Sequence, residues 1–147
     1  MKAQFETSVP GEAGITSQIR EFFRRYGANF VDLTIGKRSD VDALLEFYGA
    51  PLRFIGSTFH RVMNDSAAIT GADGMGGEID RLRRAGFAGS TLDKCQISVL
   101  NSRAALVDAL WLRRDGAGAL MARFGVIYLM TLTTSGWRIT SAVNTSE

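Results

Sequence analysis

Three observations predict an α+β domain. Apolar residues recur at helical spacing in the first half of the chain and alternate at strand spacing in the second, and two of the late strands are apolar on both faces. With 147 residues, one domain with a full core is expected, over residues 15–147. Residues 1–14 carry Pro10, Gly11 and Gly14 without periodicity and read as a flexible lead-in.

From Thr16 a helix is predicted, because Ile19, Phe22, Phe23, Tyr26, Phe30 and Leu33 fall on one stripe. Gly27 interrupts it at a cost of roughly 1 kcal/mol against Ala, which a broad aromatic stripe offsets. A second helix is expected to open at Ser39, with Asp42 three residues on as a variant capping box. Val41, Leu44, Leu45 and Tyr48 keep its spacing, and Gly49 and Pro51 are expected to end it. Residues 52–56 and 58–63 then read as short strands meeting near Gly56. Asn64, Asp65 and Ser66 offer a cap for a third helix, which holds Ile79 and Leu82 and stops at Gly86.

The start of this third helix lies within residues 65–74. It either begins at Ser66 and carries Gly71, Gly74, Gly76 and Gly77 inside, or begins near Asp73 after a looped entry. Such a glycine cluster could cradle a phosphate or permit close packing. The dinucleotide fingerprint would need Gly at 79, where Ile79 stands, and the Walker pattern fails because Glu78 follows Gly77. A carboxylate at a helix start also repels phosphate. Ala68, Ala72 and Gly76 form a ridge of small residues at spacing four, so close packing is the expectation.

The remainder reads as sheet. In residues 92–100, Cys95, Ile97 and Val99 alternate with Lys94, Gln96 and Ser98. Asn101–Ser102 connects to a strand over 103–114, and Asp115–Gly116 is a hairpin signal. A long strand over 119–132 and a closing strand over 136–144 complete an antiparallel meander. Ala104, Leu106, Leu110 and Leu112 line one side of their strand, and Val107, Ala109 and Trp111 line the other. An antiparallel sheet usually leaves one face polar. Helices are expected to cover one face here, and a second copy of the chain the other.

Composition excludes several function classes. Seventeen basic against fifteen acidic residues leave a net charge of +2, too small a bias to argue for nucleic acid or a membrane surface. Cys95 and His60 are each the only residue of their type, which leaves no internal disulfide, no thiolate metal cluster and no site needing two imidazoles; no metal or cofactor is expected. The longest uncharged stretch, Phe124 to Trp137, is apolar mainly in its first nine residues, short of the ~20 needed to span a bilayer. The N-terminal residues hold no apolar run of signal-peptide length, and a cytoplasmic location is expected.

The order helix, helix, short strands, helix, meander resembles the nuclear transport factor 2-like superfamily, including its SnoaL-like members. The residues that carry the resemblance are LLEFYGAP (44–51), RRAGFAGS (83–90), ALVDALWLRRDG (105–116) and RFGVIYLMTLTTSGWRI (123–139), in order over roughly residues 16–145. The resemblance implies a cystatin-like cone, a strongly curved antiparallel sheet wrapped over three helices. It also implies a pocket at the open end and homodimerisation through the sheet's outer face. Members include cofactor-free isomerases, dehydratases, hydrolases and cyclases as well as binding and assembly modules. No catalytic set of theirs matches here, and none is carried over.

Five residues are site candidates. Asp108 lies among Leu106, Leu110 and Leu112, and if that face lines the pocket its carboxyl would be raised by burial and could act as a general base; a salt bridge, to Arg123 or across a dimer, is the plainer role. His60 shares a strand parity with Phe54 and Val62 and could shuttle protons, or be a surface group. Tyr48, placed at the end of the second helix, could donate to an oxyanion or simply pack. Trp111 and Tyr128 could line a cavity for an apolar ligand or fill the core, while Arg81–Arg84 read as a solvated helix face. The leading functional expectation is a small-molecule-binding domain with an apolar pocket, with Asp108 and His60 supplying any acid–base chemistry. The rival is a dimerising accessory module whose cavity is filled by its own side chains.

Overall fold

The computed structural model describes residues 11–145. Helix α1 (Glu12–Thr34) leads to a 3-10 turn of helix (Val41–Glu46) and the short strands β1 (Tyr48–Ile55) and β2 (His60–Met63). Two helices follow, α2 (Ser66–Thr70) and α3 (Met75–Arg84), and then four long strands: β3 (Phe87–Asn101), β4 (Ala104–Asp115), β5 (Leu120–Thr133) and β6 (Gly136–Thr145). They form one unclosed sheet in the order β2-β1-β6-β5-β4-β3. The predicted α+β architecture is therefore observed, a curved sheet over helices. All neighbours pair antiparallel except β1 and β6, which run parallel. Of the expected lead-in, residues 12–14 belong to the first turn of α1, and residues 1–10 lie outside the described residues.

The stripe on α1 behaves as its spacing requires, for Ile19, Phe22, Phe23, Tyr26, Phe30 and Leu33 are all buried. They pack on the concave face of the sheet, where Ala105, Val107, Ala109 and Trp111 of β4 meet Val126, Tyr128 and Met130 of β5. Each fully buried side chain of this kind contributes about 1.5–3 kcal/mol from its removal from water. Trp137 of β6 adds a polar tie, its Nε1 donating to Gln18 Oε1 of α1 at 3.0 Å. Register shifts in β3 at 92–94 and in β5–β6 at 129–130 put bulges into the long strands, which bends them over the helices. Among the described residues, no helix is long and apolar enough to cross a membrane.

The second predicted helix differs from expectation. It is a single 3-10 segment capped by Asp40, whose side chain accepts from Asp42 N at 3.0 Å, rather than an α-helix capped by Ser39. Tyr48, Gly49 and Pro51, expected to end that helix, belong to β1. Six residues sufficed to bury Ala43 and Leu44, and pairing with β6 then outcompeted a further helical turn.

The glycine-rich corner resolves into both alternatives at once. Asp65 caps α2 by accepting from Ala68 N at 2.8 Å, the chain breaks at 71–74, and α3 starts afresh. A Cβ on Gly74, Gly76 or Gly77 would overlap the carbonyl oxygens of Ala68, Thr70 and Ala72 respectively. The N–H groups of Gly74 and Gly77 both donate to Gly71 O, at 3.0 and 3.2 Å, so they are spent on the turn rather than held out to an anion. These glycines let the chain fold tightly back on itself. The close neighbour is the preceding turn, not a separate element.

Candidate functional site

Between the concave face, α1, β2 and the α2–α3 corner lies a cavity of about 440 Å³. Its apolar walls are Phe30 of α1, Phe54 and Met63 of β1 and β2, and Trp111, Phe124 and Val126 of the sheet, with Phe59 at the rim. Gly27 opens one side: a Cβ there would stand 3.5 Å from the Trp111 ring, in ordinary contact. A bulkier residue on this turn of α1 would occupy the space the cavity now holds.

A chain of aromatic polar groups forms the inner wall. Trp111 Nε1 donates to Tyr128 Oη at 2.8 Å. Tyr128 and Tyr26 are hydrogen-bonded neighbours, and the Tyr26 and Tyr48 hydroxyls lie 2.5 Å apart. An indole N–H can only donate, so Tyr128 accepts there and keeps its own proton for Tyr26. Burial pushes all three phenols above their ordinary range, reinforced by the repulsion each phenolate would meet from its neighbours. At neutral pH they are protonated donors.

The charged groups of the cavity come from α3, β4 and β2. Glu78 accepts from Arg81 through Oε1 and Oε2, at 2.6 and 3.1 Å, and its Oε1 also lies 3.3 Å from Arg113 Nη1. Burial alone would raise the Glu78 carboxyl, but hydrogen bonds and charge from Arg81 and Arg113 outweigh it and hold it below the usual carboxylate range. Glu78 is thus ionised at neutral pH and a weak base. Arg113 stacks over Phe124 with its guanidinium carbon 4.4 Å from the ring centre, and over Phe30 at 5.6 Å. Arg61 lines the other side and donates to Asp73 O at 3.2 Å. The site therefore offers donors and cations among aromatic walls, which suits holding a ligand's oxygens rather than removing a proton. Among the described residues, no group of His, Cys, Asp and Glu could hold a metal ion.

The five sequence candidates divide. Trp111 and Tyr128 line the cavity. Tyr48 is buried behind it, its hydroxyl on Tyr26 rather than at a pocket mouth. Asp108 sits on the convex face, because the parity that turns Val107, Ala109 and Trp111 inward turns Asp108 outward; there it pairs with Lys94 Nζ at 2.9 Å, not with Arg123. His60 pairs in register with Ile55, whereas Phe54 faces Arg61, so His60 does not share the cavity face with Phe54. It is exposed, with its Nε2 3.0 Å from Arg53 Nη1. Asp108 and His60 do not converge, since β1, β6 and β5 lie between their strands.

Arg113, Glu78 and Arg61 were not singled out from the sequence. A signal existed for Arg113, a charge that continues the buried parity of Val107, Ala109 and Trp111. Glu78 was hidden by its place before the run Arg81–Arg84, three of whose residues are exposed.

Comparison with known proteins agrees with this architecture. A family model described as "NTF2-like protein (DUF6841)" matches residues 16–147. No curated protein matches the sequence. Among solved structures, an NTF2-like protein with a cystatin-like fold from Novosphingobium aromaticivorans is similar at 23% identity and a TM-score of 0.65, over 88% of this chain and 79% of that one. An NTF2-like superfamily protein from Salmonella enterica serovar Typhimurium is 19% identical with a TM-score of 0.62, over 91% and 92% of the two chains. A ketosteroid isomerase-like protein from Shewanella frigidimarina is 10% identical with a TM-score of 0.54, over 85% and 92%. At these identities the likeness carries the fold and no activity. With the family model covering nearly the whole sequence, and the curved sheet over helices that it implies in place, this chain belongs to the NTF2-like family.

Proposed function

We propose that the protein binds a small molecule with an apolar body in the cavity beneath α1. The observation that carries this reading is the cavity itself, about 440 Å³, walled by aromatic rings, with Trp111 Nε1 and the Tyr128 hydroxyl on its inner wall and guanidinium groups among its lining. That size and lining are those of small-molecule sites. Binding rather than acid–base turnover is favoured, because the cavity carboxylate Glu78 is held ionised by two guanidinium groups and the phenols are held protonated. The test is fluorescence titration with a neutral apolar probe, N-phenyl-1-naphthylamine. Binding by the wild type, lost in a folded Gly27→Leu variant whose side chain enters the cavity, supports the reading. Equal binding by both, or none by the wild type, refutes it.

A second reading, a homodimer paired through the convex face, is favoured by one observation. Leu106 and Val143 are each 37% exposed there. Leu106 neighbours Leu129 in register, Val143 neighbours Ile127, and together they form an apolar strip across three strands. A dimer mass by light scattering that falls to the monomer in Leu106→Lys supports it; a monomeric wild type removes it.

A further inference from the structure

The four charged residues that line the cavity are Arg61, Arg81, Arg113 and Glu78, three cations against one anion. The whole chain carries a net charge of only +2, so an excess of the same size is gathered at one cavity. The distribution within it is uneven. Glu78 is committed to Arg81 by two hydrogen bonds of 2.6 and 3.1 Å, and reaches Arg113 with one of 3.3 Å. Among the described residues, that long contact is the only side-chain hydrogen bond Arg113 makes, although a guanidinium has five donors in a planar fork. Its side chain is only 16% exposed, so water compensates little. Its guanidinium carbon lies over the Phe124 and Phe30 rings, which hold the cation in the cavity wall.

We infer that the ligand is an amphiphilic monoanion, an aromatic or apolar body bearing a carboxylate, whose anionic group takes the place of Glu78 on Arg113. This rests on the proposed binding role and deepens it. Glu78 loses little in the exchange, because its two shorter bonds go to Arg81. The apolar body lies against Trp111, Phe54 and Met63, and Arg61 closes the charge from the opposite wall. A single charge is required, because Glu78 stays ionised nearby and would repel a dianion.

The test compares 2-naphthoate with its neutral counterpart 2-naphthamide at pH 7, by calorimetric titration of the full chain. The expected result is that naphthoate binds more tightly by on the order of ten- to hundredfold, the range of a charge-assisted hydrogen bond. In Arg113→Gln that preference closes while naphthamide affinity stays within about threefold, and in Glu78→Gln it widens. Should Arg113→Gln fail to fold, Arg61→Gln on the exposed strand serves, and the preference must shrink there and with added salt. Equal binding of the two compounds, or a preference that survives Arg113→Gln or Arg61→Gln, overturns the anion and leaves a neutral-ligand site standing. Failure of both compounds to bind overturns the anion and the binding role together.

Discussion

Replacing Gly76 by Ala sets two effects of opposite sign against each other. Gly76 lies in the first turn of α3 without a left-handed φ, so helix propensity alone would favour Ala by roughly 1 kcal/mol. The added Cβ, however, would overlap the Thr70 carbonyl oxygen and stand 3.0 Å from Gly71 O. Both neighbours are backbone, so no side chain can swing away. Non-bonded atoms settle near about 3.5–4.0 Å, and relief therefore needs a backbone shift of more than about 1 Å. That shift breaks the bonds from Gly74 N and Gly77 N to Gly71 O, at about 1 kcal/mol each. It also loosens Ile69 and Ile79, which are 0% and 4% exposed. The net expectation is destabilisation by about 2–3 kcal/mol, a fall in Tm of roughly 5–10 °C for a domain of this size. Gly14→Ala is the matched control, a helical glycine with nothing within 4 Å of its Cβ position, and should be neutral or stabilising by up to ~1 kcal/mol. Thermal unfolding followed by circular dichroism reads both. If Gly76→Ala melts as high as the wild type, the steric argument for the corner is wrong.

Tyr26, Tyr48 and Tyr128 are the chain's only tyrosines, and burial raises all three. A raised folded-state value means the stability these phenols contribute is fully present below the unfolded value of about 10 and is lost as pH rises above it. Absorbance at 295 nm should therefore show no phenolate in the native protein near pH 10, followed by one cooperative rise that coincides with unfolding; three independent, ordinary titrations would contradict the buried chain. Asp108→Asn removes a pair whose side chains are 43% and 39% exposed, so stability should change by no more than about 1 kcal/mol and probe binding in the cavity not at all. A loss of binding in that variant would put the concave face on the wrong side. Arg83 donates to Leu33 O and Thr34 O at the C-terminal end of α1, and Arg83→Met should cost about 1–2 kcal/mol in denaturant unfolding. The same change at Arg84, which lies on the exposed side of α3, should cost less than about 0.5 kcal/mol; equal effects would argue against this clasp.

Much of the framework was legible because it is local. The α1 stripe and the alternation of the meander follow from spacing, and a cap for α2 was expected among Asn64, Asp65 and Ser66, of which Asp65 is the one used. Where two local codes competed, the sequence was ambiguous. Residues 41–48 have helical periodicity, yet Tyr48 pairs with Ile139, some ninety positions away, and that pairing ended the helical segment at Glu46 and drew Tyr48 into a strand. The glycine corner was ambiguous for a similar reason: each glycine is explained by a carbonyl brought close in space, and that closeness exists only once the turn is made.

By itself the sequence determined which residues alternate on β4, and hence that Asp108 and Trp111 must face opposite ways. Only the tertiary structure decided which of those faces is concave. Curvature is a collective property of six strands, their bulges and the helices beneath them, and no single strand encodes its sign. That one decision sent Asp108 out to Lys94 and turned Trp111 inward beside Tyr128. It also carried Arg113, two residues further along the same parity, into the wall of the cavity.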